Sequence, residues 1–141
     1  MSWINELLNM NYIAIAVATI ASYVLGFTWY SWSILGKAWA DSLGMTKEAA
    51  DNTEGLGGAF IASLISGAAK TICISLLMAA TNTTGVVDGA LFGGLIALML
   101  IFTSLAYYNG FARLTSKLTA INGAHSIVEL SVIGAIIGAF S

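Results

Sequence analysis

Residues 58–80 read GAFIASLISGAAKTICISLLMAA, an apolar run with no proline and one charge, Lys70. At about 1.5 Å of rise per residue, a helix of that length crosses a hydrocarbon core about 30 Å thick. The run lacks the polar and apolar alternation of a transmembrane strand and is about twice the length such a strand needs. A helix also satisfies its own backbone in lipid. Three similar runs lie at about 12–35, 86–108 and 121–140. The expected fold class is therefore all-α: an integral membrane bundle of four transmembrane helices, in a single domain over 1–141. Ahead of the first run, Trp3, Ile4, Leu7 and Leu8 recur at helical spacing, as in a short N-terminal interfacial segment. The first run follows Glu6 with no Lys or Arg and is too long for a signal-peptide core, so it is expected to stay in the mature protein.

Composition points the same way. Hydrophobic residues make up 58% of the chain and charged ones 9%, with a mean hydropathy of +0.88, more apolar surface than a soluble fold this small can hide. The apolar side chains are expected to face the lipid bilayer or one another. A net charge of -2 and a pI near 5.0 leave no basic surface for nucleic acid, which is excluded as a partner. Cys73 stands alone in an apolar run, where a thiol behaves as a small hydrophobe.

Orientation follows from the cations, since short loops rich in Lys and Arg stay cytoplasmic. Lys37 and Lys47 lie in the first loop, Arg113 and Lys117 in the third, and the second loop and both tails carry none. Both termini are therefore expected outside. Trp29, Tyr30, Trp32 and Trp39 cluster where the first run ends, and Tyr107 and Tyr108 where the third does, as interfacial anchors would. Thr46 is placed to cap a short helix in the first loop, before Gly55. Asp88 falls at the start of the third run, where a carboxylate complements the helix dipole.

Small residues recur at every fourth position, the spacing that lets helices in lipid approach closely. The second run offers Ser63 and Gly67, the third Gly89 and Gly93, and the fourth Gly134 and Gly138; the first offers Ala14, Ala18, Ser22 and Gly26. These stripes serve either one bundle or contacts between subunits, and the expectation is a homo-oligomer, at least a dimer, or a place in a larger membrane complex.

Two stretches carry a family resemblance. Asn11 to Glu48 contains Gly26-Phe27-Thr28-Trp29-Tyr30-Ser31 and then Gly36-Lys37-Ala38-Trp39. The closing run contains Ile121-Asn122-Gly123-Ala124-His125-Ser126-Ile127-Val128 and then Gly134-Ala135-Ile136-Ile137-Gly138-Ala139. In these the chain resembles a family of small bacterial membrane proteins catalogued as domain of unknown function 1761. The resemblance implies a four-helix protein of the bacterial inner (plasma) membrane and supplies no activity. Where that family usually has a proline after the tyrosine-serine pair this chain has Trp32, so no helix-breaking feature is carried over.

Ionisable groups inside the apolar runs remain. Lys70 lies near the middle of the second run, Glu129 near the middle of the fourth, and His125 one turn before Glu129 on the same face. A lone charge at mid-bilayer costs about 3 kcal/mol on insertion scales, so such residues pair or face water. The second and fourth helices run in the same direction, and a Lys70–Glu129 pair is expected, serving either helix register or function. His125 with Glu129 forms half of a possible proton relay. Lys70, His125 and Glu129 are thus the transport or polar-core candidates. The preferred reading is a transporter or channel for protons, a small ion or a small polar solute. The alternative is an accessory or assembly subunit with no site of its own. An enzyme is not expected: no nucleophile motif appears, His125 and Glu129 lack a third metal ligand, and no cofactor or metal is implied.

Overall fold

The structure, a computed structural model, describes residues 2–141. These residues are all-helical in architecture, and among them four helices are long and apolar enough to cross a membrane: Tyr12–Trp29, Gly57–Ala80, Val86–Phe111 and Ser116–Ala139. The chain is thus a multi-pass membrane protein. A short α1 (Trp3–Leu8) precedes the first span, α2 (Tyr12–Trp29), and two short helices follow it, α3 (Lys37–Ser42) and α4 (Lys47–Asp51). The second span is α5 (Gly57–Ala80). The third joins α6 (Val86–Ile96) to α7 (Thr103–Phe111) through a π-helical segment, Ala97–Phe102, and the fourth is α8 (Ser116–Ala139).

Local chemistry fixes the boundaries. The Asn11 side chain accepts the Ala14 N–H at 3.1 Å and starts α2. Thr46 accepts the Ala49 N–H at 3.1 Å and starts α4. Thr115 accepts the Leu118 N–H at 3.2 Å, so α8 begins at Ser116, ahead of the apolar run that starts near 121, because a hydroxyl cap holds its polar first turn.

The first span differs most from its sequence expectation. It ends at Trp29, although the apolar run continues to about 35. Ser31 takes φ -65° and ψ 146°, an extended conformation, and Trp32–Gly36 then forms a single π-helical segment leading into α3. The break needs no proline. Gly36 N–H donates to the Ser31 carbonyl at 2.8 Å, and a Cβ on Gly36 would lie 2.4 Å from the Tyr30 carbonyl oxygen. Only glycine lets the chain fold back on itself there. Ala40, fully buried, seats α3 in the fold.

Packing centres on α8. Gly85, just ahead of α6, and Gly89 and Gly93 on it meet Gly138, Gly134 and Leu130 in reverse order, backbone against backbone, so α6 and α8 are antiparallel. Glycine rows at every fourth residue drift about 40° per step around a 3.6-residue helix. The wider π-helical segment, which begins at buried Ala97, takes back part of that drift for the residues that follow it. Farther along, the Phe102 ring fills the space over Gly123. Ser22 and Gly67 bring α2 and α5 together, and Ala14, Ala18, Ile74, Met78, Leu130 and Ile133 form the core between α2, α5 and α8. Outward, Ile13, Val17, Ile20, Leu91 and Leu95 are exposed, the apolar surface that lipid requires.

Candidate functional site

Glu129 is 4% exposed, at mid-span on the face of α8 turned toward α2 and α5. A carboxylate so placed needs partners, and both its oxygens have one. Lys70 Nζ on α5 lies 2.6 Å from Oε2, and Ser22 Oγ on α2 donates to Oε1 at 2.5 Å. Three helices therefore meet on one carboxylate. The pair is unequally covered: the Glu129 side chain is 5% exposed and that of Lys70 29%. Lys70 has three N–H donors, and Glu129 takes one.

Beside Lys70 a cavity of about 640 Å³ opens between α2 and the first half of α5. Its floor is Ser22, Lys70 and Glu129; Tyr23, Phe27 and Phe60 line its sides, and Trp39, Asp51 and Leu56 line its mouth at the α3/α4 end. A smaller recess of about 270 Å³ lies at the opposite end of the same three-helix seam, among Asn11, Ser75, Asn82 and Phe140. Between the two, Ala18, Thr71, Ile74, Leu130 and Ile133 are buried and form a plug. The Thr71 hydroxyl donates to the Gly67 carbonyl at 2.8 Å, so the plug exposes no unpaired hydroxyl there.

His125 also lines the cavity, but no direct hydrogen bond joins it to Glu129 among the described residues. Its Nε2 is buried without a partner, 3.8 Å from where a Gly26 Cβ would lie. The imidazole is held by aromatic rings, with centroids 5.9 Å from Trp29 and 5.3 Å from Tyr30. A relay between His125 and Glu129 therefore needs an intervening water or solute. Among the described residues no three His, Cys, Asp or Glu side chains come together to hold a metal ion.

The aromatics divide into two groups. Tyr107 and Tyr108 are exposed at the end of the third span, where an interfacial anchor belongs. Trp29, Tyr30 and Trp39 instead turn inward. Trp29 Nε1 donates to the Ile121 carbonyl at 3.2 Å, Tyr30 Oη donates to Asn122 Oδ1 at 2.6 Å, and Trp39 meets the Tyr30 ring edge-on. They clamp the end of α2 to α8, because the backbone break at Ser31 needs side chains to hold it. Trp32 lies under the Lys47 ammonium, 5.5 Å from its centroid. Of the small residues, Gly89, Gly93, Gly134 and Gly138 pack α6 on α8, Gly67 meets Ser22, and Gly26 faces His125. Ser63 contacts no other helix through its hydroxyl, which donates to the Phe60 carbonyl at 2.7 Å. Two site residues carry little sequence signal as polar partners: Ser22 reads as one of a row of small packing residues, and Asn122 as part of a family-like stretch.

No curated protein and no solved structure matches the chain. Over residues 13–138 it matches the family described as "Protein of unknown function (DUF1761)", and the chain belongs to that family.

Proposed function

We propose that this protein is a small transporter in which the cavity between α2 and α5 admits a small polar solute or ion, with or without a proton, to the Lys70–Glu129 pair. One observation carries the reading: the cavity ends on a buried ion pair whose cation remains accessible from it. A pair that served only helix register gains nothing from an opening of that size, since water and solutes weaken its Coulomb attraction. The plug below the pair separates two recesses at opposite ends of one seam, as alternating access requires. The α2 side of that seam is Ala14, Ala18, Ser22 and Gly26, small residues over which α2 can tilt without unlocking large side chains.

Lys37 and Lys47 in the short helices after the first span, Arg113 in the turn after α7 and Lys117 in the first turn of α8 all lie at the end where the larger cavity opens. The distribution of cations supports a cytoplasmic mouth and two outside termini, in a bacterial inner membrane. The first half of α5, Gly57 to Ser66, has no buried residue, and Ser63 there is free to meet another chain. That supports a homo-oligomer closing the lipid side of the cavity.

The test is flux in liposomes. Reconstituted protein should dissipate an imposed pH gradient or couple it to solute uptake, and Glu129→Gln should abolish this while the protein still folds. If wild-type liposomes are as tight as empty ones to protons, alkali cations, halides and small polar solutes, the transport reading fails. The accessory-subunit reading then replaces it.

A further inference from the structure

The cavity floor carries one cation and one anion already in contact, Lys70 Nζ and Glu129 Oε2 at 2.6 Å. Both lie at mid-span, where a net charge is costly. A ligand entering the cavity must fit that balance. A bound anion would leave two negative groups around Lys70, and a bound cation would leave two positive groups around Glu129. Either complex buries one uncompensated charge. A neutral molecule can offer the pair only hydrogen bonds. A molecule with both signs exchanges one ion pair for two and keeps the site neutral.

The walls constrain the rest of the ligand. Phe27 and Phe60 stack with centroids 5.9 Å apart and planes at 11°, and Tyr23 sits edge-on to Phe27 at 5.0 Å. These rings offer a broad apolar surface above the charged floor, and Ser63 and Ser66 are the hydroxyls beside it. The volume of about 640 Å³ suits a compact organic molecule rather than a bare ion.

Resting on the transport reading, we propose that the ligand of this site is a small zwitterion with an apolar or aromatic body, its anionic end bound by Lys70 and its ammonium by Glu129. The Lys70 donors not used by Glu129 receive the anionic end. Ser22 keeps Oε1 of Glu129 in place while Oε2 changes partner. The apolar body lies along Phe27 and Phe60.

Three probes sharing a benzyl group separate charge from shape: phenylalanine, the zwitterion; 2-phenylethylamine, the monocation; and N-acetylphenylalanine, the monoanion. Binding is measured by calorimetry on the purified full chain in detergent. Wild type should bind phenylalanine on the order of tenfold or more tightly than either analogue. Removing one charge should move the preference in a defined direction. Glu129→Gln leaves Lys70 alone and should favour the monoanion, whereas Lys70→Met leaves Glu129 alone and should favour the monocation. A gain of binding in either variant also shows that it folds. Equal affinity for the three probes, binding of none of them, or an unchanged preference in both variants overturns the ligand class. If phenylalanine binds with these preferences but liposomes take up none, the ligand class stands and the transport reading fails. Accumulation of a singly charged probe in preference to phenylalanine overturns the ligand class and leaves transport standing.

Discussion

Gly89 and Gly134 hold α6 and α8 so close that a Cβ on Gly134 would lie 1.9 Å from the Gly89 carbonyl oxygen, and one on Gly89 2.1 Å from that of Gly134. The obstruction on each side is backbone, which cannot rotate aside as a flexible side chain does. This contact fixes α8 from behind, while the opposite face presents Glu129 to α2 and α5. Gly134→Ala should therefore separate the helices and cost about 3 kcal/mol, at the upper end of the usual overpacking penalty. Gly110→Ala is the control: nothing lies within 4 Å of a Cβ there, and Ala in place of an exposed helical Gly should stabilise by about 0.5–1 kcal/mol. Thermal unfolding in detergent measures both, and equal midpoints for the two variants would contradict the close contact.

The buried pair gives a second test. Lys70→Met leaves Glu129 with Ser22 alone, and Glu129→Gln leaves a mid-span ammonium unpaired. Each should cost about 3 kcal/mol or more, and the double variant should recover part of the sum, because two missing charges disturb the seam less than one unpaired charge. Strictly additive losses would show that the two groups do not meet in the folded protein.

The four spans and the Lys70–Glu129 contact are legible in the sequence because hydropathy and the cost of a lone intramembrane charge are strong, local signals. The cavity is not legible. It depends on α2 ending at Trp29, a break held by tertiary contacts such as Tyr30 with Asn122, and on the first half of α5 standing away from the bundle. The roles of Trp29, Tyr30 and Trp39 are hidden for a related reason. An aromatic cluster at a span end reads as an interfacial anchor whether it faces lipid or α8, and only the fold decides which. Ser22 is masked by its own row of small residues.

The break after α2 predicts an unusual tolerance. Ser31 already has the extended ψ that a residue before proline requires, and Trp32, first in its π-helical segment, has an N–H that no helical carbonyl takes. Trp32→Pro should lose little beyond the Lys47 cation–π contact, about 1 kcal/mol or less. Ile72→Pro, inside α5, should cost about 3 kcal/mol or more. A large loss from the first substitution would mean that the α2–α3 connection is helical in the membrane.

Topology is tested without reference to function. With cysteines introduced singly into a Cys73→Ser background, an impermeant thiol reagent on intact cells should label a residue placed at Thr83 and miss one placed at Glu48. The reverse pattern would put the larger cavity's mouth outside, and labelling of both would overturn the four-span architecture.

His125 can serve the site as a proton carrier or as a ring that completes the clamp of Trp29 and Tyr30, and substitutions distinguish the two. His125→Phe keeps a planar ring among the aromatics, fills the space over Gly26 and removes both nitrogens. Nε2 has no partner to lose, so stability should be unchanged or slightly higher. His125→Ala removes the ring as well and should cost about 2–3 kcal/mol by the usual large-to-small rule. If the imidazole relays protons between the cavity and Glu129, both variants should abolish pH-gradient dissipation in liposomes, and the phenylalanine variant should do so without loss of stability. If it only packs, the phenylalanine variant should retain full flux and the alanine variant should lose flux in proportion to folded protein. Asp88→Asn serves as the flux control, since Asp88 is exposed in the first turn of α6 and lines neither recess. A fall in flux with that variant would mean that the path does not follow the α2/α5/α8 seam.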